Sequence, residues 1–306
     1  MITVPSVTVG IPFRNAESTL PEAIASVFAQ EHEDWELVLV DDGSTDRSGQ
    51  LAGQVRDPRV FVINDGRQLG LSARLNQIAA QARGKYLARM DADDLMSPER
   101  LGTQLRWLLK NDDVDVLATG AYVMDEARRV WGVTGLGALD LTPRLAVRGP
   151  RILHPSVMAR TVWFRNNPYD SAFWRSEDRE LWCRTCDTSR FARVPEPLMF
   201  YRVPLRLDVG NYRCGSMFER KIARRYGFAR LGRAETLVLI AQSYFKQCLS
   251  EAAVAAGQDA WLIRRRYPAV SPALLQEGAD RLHRVISTPV PGLGEMPARD
   301  HGPLPA

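Results

Sequence analysis

The chain has 306 residues, of which 45% are hydrophobic and 25% charged, and it carries a net charge of +4. These values suit one large or two modest globular domains and exclude collagen-like, low-complexity and disulfide-stapled chains. The mild positive charge is compatible with anionic partners but selects none of them.

Short β-branched runs alternate with amphipathic helical patterns over the first 120 residues. "VTVGI" (7–11), "WELVLV" (35–40), "VFVI" (60–63), "KYLARM" (85–90) and "VDVLATG" (114–120) read as buried strands. Leu20, Ala23, Ile24, Val27 and Phe28 share one helical face, and Leu101, Leu105, Leu108 and Leu109 share another after a Ser97-Pro98-Glu99 start. This alternation predicts an α/β fold with a mostly parallel sheet covered on both faces. From 121 to 205 the pattern loosens, and "WGVTGLGALDL" reads as a mobile loop. After "YRVP" at 201–204 the chain turns helical, basic and aromatic, and its Pro/Gly-rich end reads as disordered. The expected division is 1–205, a helical extension over 206–288, and a tail over 289–306.

The longest apolar run, "TLVLIA" at 236–241, is far short of the roughly 18 residues of a membrane span. Four cysteines fit a reducing compartment, and the start "MITVPSVTVGIPF" lacks the pattern of a secretory signal. A cytoplasmic location is therefore expected.

Ligands of open α/β sheets bind outside the carboxyl ends of the strands. Two acidic clusters fall there: Asp41-Asp42 after "ELVLV", and Asp91, Asp93 and Asp94 after "KYLAR". Like charges held together cost free energy unless a cation or hydrogen bonds offset them. Mg²⁺ or Mn²⁺ sharing its shell with phosphates would do so. The plainer explanation is an acid-rich helix start before "SPERL". In "DDGSTDRS", Gly43 permits a tight turn, Ser44 or Thr45 can cap the next helix, and Asp41 and Asp42 would face the crevice. No dinucleotide-binding or P-loop glycine pattern is present.

"VGIPFRNAESTLPEAIASVFAQ", "WELVLVDDGSTDRS", "LGLSARLNQIAAQARGKYLARMDADDLMSPERLGTQ" and "SEDRELWCR" resemble, in order and spacing, the family 2 glycosyltransferases of the GT-A fold. The "ARMDADD" form is similar to members that build bacterial exopolysaccharide and O-antigen repeat units. The resemblance spans roughly residues 5 to 204 and implies a Rossmann-like nucleotide-sugar-binding catalytic domain over 1–205. It implies that Pro12 and Asn15 belong to a nucleotide-contact loop and that Asp41 pairs with a uracil-type base, with Asp42 close by. Asp91 then holds the ribose or a metal-bound water, Asp93 coordinates the Mn²⁺ or Mg²⁺, and Asp178 is the base. Relatives often read "AARN" where this chain reads "SARLN", which displaces Arg74, the expected donor contact, by one position. They also commonly place a histidine after "YR", which is missing here. Arg202 or Arg206 would then supply positive charge near the phosphates.

The activity implied is inverting transfer of a hexose, from a UDP-sugar by expectation, to a saccharide or lipid-linked acceptor. The alternatives are a phosphatase or phosphotransferase using the D-x-D aspartates, and a non-catalytic glycan- or membrane-binding subunit. Cys183 and Cys186 lack a second close pair for zinc and read as small residues one helical turn apart. His154 reads either as lining the acceptor side or as a hydrogen-bonded structural residue. The basic, aromatic stretch 218–248 and "WLIRRRYP" at 261–268 suit either an anionic membrane surface or a solvated helical bundle. Nucleic acid is not expected as a partner, since no recognition motif accompanies the basic residues.

Overall fold

Apolar runs build the sheet from the inside outward. The computed structural model describes residues 4–149, 152–267 and 270–294, and its strands are β1 (Val7–Phe13), β2 (Trp35–Asp41), β3 (Val60–Asn64), β4 (Tyr86–Arg89), β5 (Leu95–Met96), β6 (Val116–Met124), β7 (Val130–Thr134), β8 (Met158–Arg160) and β9 (Phe191–Arg202). They form one sheet in the order β3-β2-β1-β4-β8-β6-β9-β5, with β7 paired to β6. β1 through β4 pair in parallel, as do β6 and β9, whereas β5, β7 and β8 join antiparallel. The mostly parallel α/β architecture is the expected one.

β1, β2 and β6 are buried along their whole length because helices cover both faces. Helix α1 (Leu20–Phe28) shares one core with β1 and β2, and α3 (Leu71–Gln81) belongs to the core on the other face. Gly10 lets α3 come close, since a Cβ there would lie 2.4 Å from Ile78 Cγ2. The remaining helices over the sheet are α2 (Ser48–Gln54), α4 (Arg100–Lys110), α5 (Pro143–Arg148), α6 (Thr161–Asn166) and α7 (Glu177–Thr185).

The C-terminal part contributes α8 (Val209–Ile222), which continues through a π-turn at Ala223–Gly227 into α9 (Phe228–Arg230). Then come α10 (Arg233–Ala255), α11 (Asp259–Arg264) and α12 (Pro272–Ile286). α8 and α10 pack on each other, while α12 leaves them to lie against α1 and β7. Its Leu282 and Val285 enter the small core of Tyr122 and Phe200.

Several expectations need correction. β3 is an edge strand, so its residues are exposed or half-buried instead of buried. Leu109 is exposed although it lies near the apolar stripe of α4. The first part of the expected loop at 131–141 is strand β7, because pairing with β6 satisfies its backbone. Neither Ser44 nor Thr45 caps α2: that helix starts at Ser48, whose N–H donates to Asp46. Of the tail expected to be disordered, 289–294 is ordered. Val290 enters the main core, and the N–H of Arg56 donates to Pro291 O at 2.7 Å. Residues 295–306 lie outside the described residues.

Candidate active site

The loops after β1 and β4 meet at the carboxyl edge of the sheet, where the parallel pairing switches to the antiparallel β4–β8 pair. They enclose a cleft of about 600 Å³ whose lining includes Pro12, Arg14, Asn15, Asp91, Asp93 and Arg202. Asn15 adopts a left-handed conformation (φ 49°), which Asn tolerates, and its Oδ1 accepts the N–H of Thr45 at 2.8 Å. The nucleotide-contact loop expected from sequence thus borders the same space as the D-x-D aspartates.

Asp91, Asp93 and Asp94 each bring a carboxylate oxygen within 4.8 Å of the other two. Arg89, itself buried, grips Asp91 through both oxygens at 2.6 and 2.7 Å. Asp94 is 1% exposed; its Oδ1 accepts the N–H of Arg202 at 2.9 Å, while its buried Oδ2 has no hydrogen-bond partner. Desolvation and the neighbouring Asp91 charge push Asp93 up to about 6, and burial holds Asp94 well above the ordinary carboxylate range. A crowded set of three oxygen donors with an orphaned buried oxygen suits a hard divalent cation. Asp94 did not figure in the expected metal pair. Its signal was present in the sequence as the third aspartate of the run.

Arg202 fixes this turn from behind. Its Nε donates to the carbonyl of Asp93 at 2.8 Å, and its Nη2 pairs with Glu22 Oε2 at 2.8 Å. Glu22, on α1, also holds buried Arg128 at 2.6 Å, where a left-handed φ of 65° turns the β6–β7 hairpin. Arg202 therefore lies at the cleft, as one of the two expected positions, whereas Arg206 is exposed and does not line it. Nothing in the sequence pointed to Glu22, because an acid in a first helical turn is ordinary.

Glu177 and Asp178 open α7, where the helix dipole favours acids. Asp178 does not line the cleft itself. It shares the electrostatic field of Arg89 with Glu177 and Asp91. Burial and the adjacent Asp178 push Glu177 up to about 8, and burial raises Asp178 as well. His154 Nε2 lies 2.8 Å from the Tyr169 hydroxyl and its Nδ1 is 4.0 Å from Glu177 Oε1. Burial and Arg89 hold its imidazole well below its usual pKa, so it is neutral. Cys183 on α7 and Cys186 just past its end are buried one turn apart, with the Cys186 thiol donating to the Cys183 carbonyl.

The second expected acid pair is not at the cleft. Asp41 Oδ1 accepts the N–H and hydroxyl of Ser44, and its Oδ2 accepts from Asn64 Nδ2. Asp42 accepts the N–H groups of Leu69 and Gly70 and ion-pairs with Arg74 at 3.0 Å. Arg74, expected to contact the donor, is fully buried and also pairs with Asp65 at 2.7 Å. Its guanidinium is consumed in pinning the 65–70 loop to the end of β2, which is why it does not reach the cleft. Arg74→Ala should lower stability by about 3 kcal/mol, the low end for a broken buried pair because Asp65 is partly solvated. Thermal melts check this, with a small change in donor affinity expected if the clamp is only structural.

Residues 8–181 match the model of glycosyl transferase family 2. The chain is 36% identical over 188 residues to the glycosyltransferase EpsE of Bacillus subtilis (strain 168), covering 59% of this chain and 66% of that protein. It is 31% identical over 163 residues to the succinoglycan biosynthesis protein ExoO of Rhizobium meliloti (strain 1021), covering 53% and 44%. Among solved structures, S. aureus TarS 1–349 superposes with a TM-score of 0.58 at 18% identity, over 92% of this chain and 80% of that one. The same fragment in complex with UDP-GlcNAc gives 0.57 at 19% identity, over 92% and 81%. With the family model spanning more than half of its length and a GT-A-like α/β sheet beneath the acidic cleft, the chain belongs to glycosyl transferase family 2.

Proposed function

We propose that the protein is an inverting, metal-dependent hexosyltransferase that takes a hexose from a nucleotide-sugar and passes it to a saccharide acceptor, free or lipid-linked, in surface polysaccharide synthesis. The observation that supports this reading is the meeting of the Pro12–Asn15 loop, Asp91, Asp93 and Arg202 around one cleft, with Asp94 clustered against the other two aspartates. A UDP-hexose is the first donor to test, since the TarS fragment was solved with UDP-GlcNAc.

In this mechanism the acceptor hydroxyl attacks the anomeric carbon from the face opposite the leaving group. Its oxygen–carbon bond forms as the bond to the diphosphate breaks, and the nucleoside diphosphate departs with the electron pair. Asp178 accepts the hydroxyl proton. Asp91, Asp93 and Asp94 would hold Mn²⁺ or Mg²⁺, which supplies positive charge against the leaving diphosphate. Arg89 keeps Asp91 oriented, and Arg202 secures the Asp93–Asp94 turn while adding positive charge at the cleft wall. The same grip of Arg89 on both oxygens of Asp91 disfavours a phosphotransferase in which Asp91 is the nucleophile.

A panel of nucleotide-sugars with Mn²⁺, with Mg²⁺ and with chelator tests the reading. Donor hydrolysis or transfer should fall at least about a hundredfold when the metal is removed. Turnover indifferent to chelator would overturn the metal role, and failure to bind any nucleotide-sugar would overturn the donor reading.

A further inference from the structure

Helix α10 is amphipathic in the wrong sense for a soluble bundle. The side that packs on α8 carries small hydroxyl residues one heptad apart, Thr236, Ser243 and Ser250, all buried. The Ser243 hydroxyl lies 3.4 Å from the carbonyl of Ser216, and Thr236 fills the space beside Gly227. At 100° per residue, the opposite side forms an apolar arc about 140° wide. It contains Leu237, Val238, Tyr244, Phe245 and Leu249, each between 49% and 69% exposed. Arg233 borders the arc on one side and Lys246 on the other, both exposed; the acids at the same borders, Glu251 and Glu235, are held in ion pairs by Arg213 and by Arg144 and Arg148.

We propose that this outer face of α10 seats the protein on an anionic lipid surface. An apolar face this wide, flanked by cations, is the geometry of a helix lying in the plane of a membrane interface. The flanking cations keep their charged ends among headgroups while the arc enters the acyl boundary. Charge identifies the occupant. Residues 206–288 hold fourteen Lys and Arg against seven Asp and Glu, an excess of +7 in a chain of +4, so the remainder carries −3. Lys221 near the end of α8, and Arg224 and Arg225 on the π-turn that packs against α10, are exposed as well. A second copy of the chain would set one +7 unit against another, whereas anionic headgroups complement it. None of the helices described is long and apolar enough to cross a membrane, so the contact is one of lying on the surface. This inference does not depend on the transfer reaction.

Cosedimentation of the full chain with vesicles of phosphatidylcholine, and with equimolar phosphatidylglycerol added, tests it. Binding should require the anionic lipid and weaken at high salt. Phe245→Glu should reduce vesicle affinity at least about tenfold, and the pair Arg233→Glu with Lys246→Glu should reduce it several-fold while lessening the salt dependence. Neither change touches the cleft, so nucleotide binding and far-UV circular dichroism serve as controls for folding. No binding to anionic vesicles at low salt overturns the proposal, as does equal binding by Phe245→Glu. Light scattering that shows a dimer abolished by Phe245→Glu, without vesicle binding, would assign the face to a second copy and overturn it too. Loss of vesicle binding with intact donor turnover, or the reverse, separates this proposal from the catalytic one.

Discussion

Asp178→Asn is expected to lower kcat for transfer by about 10²–10⁴-fold while donor and metal affinity stay within about twofold of the parent. The substitution preserves shape and keeps an oxygen where Asp178 Oδ1 now accepts the N–H of Arg179 at 2.7 Å, so the first turn of α7 should survive. What is lost is a group able to take a proton. Because burial raises the proton affinity of Asp178, the acidic limb of kcat against pH should lie above the range of an ordinary carboxylate, with activity falling as pH falls through it. Glu177 provides a contrasting variant. Its folded pKa, pushed up to about 8, lies above the ordinary 4.5, so its contribution to stability is full below about 4.5 and is lost as pH rises toward about 8. Glu177→Gln should therefore lose less stability than the parent across that window, and melts against pH measure it. Unchanged transfer by Asp178→Asn would remove it as the base.

The strands were legible because their signal is local. Buried parallel strands need unbroken apolar runs, and "VTVGI" and "WELVLV" supply them. The D-x-D cluster was legible for a similar reason: three acids within four residues at a strand end have few places to go. Side-chain direction was not legible. Asp41 and Asp42 occupy the expected strand end, yet the N–H groups of Ser44, Leu69 and Gly70 capture them, because an exposed backbone donor within reach outcompetes an open crevice. Arg74 illustrates the same limit, since its partners are set by how the 65–70 loop folds back. The Glu22–Arg202 pair joins residues 180 positions apart, and no spacing rule connects them. In the C-terminal part, composition announced basic and aromatic helices, but only the packing of α10 on α8 decides which face is left outside.

The aspartate turn should show opposite effects on stability and function when its buried member is neutralised. Two carboxylates with oxygens within 4.8 Å of each other repel by on the order of 3 kcal/mol at the effective dielectric of a protein surface. Arg89 offsets that for Asp91, and the backbone N–H of Arg202 satisfies only one oxygen of Asp94. Asp94→Asn keeps an acceptor for that N–H while removing one negative charge from the cluster. The metal-free variant should thus melt a few degrees higher than the parent. Added Mn²⁺ should stabilise the parent and do much less for the variant, whose metal affinity should fall at least about tenfold. Transfer should fall with it, since weaker cation binding leaves the departing diphosphate without compensating charge. Asp93→Asn should weaken Mn²⁺ binding comparably but raise the melting temperature less, because part of Asp93 still reaches solvent whereas Asp94 is 1% exposed. Thermal melts with and without Mn²⁺ on the two variants therefore distinguish a cation site from an acid-rich loop. If Mn²⁺ shifts neither the parent nor the variants, the three aspartates serve only to shape the turn, and among the described residues the cations lining the cleft are Arg14 and Arg202.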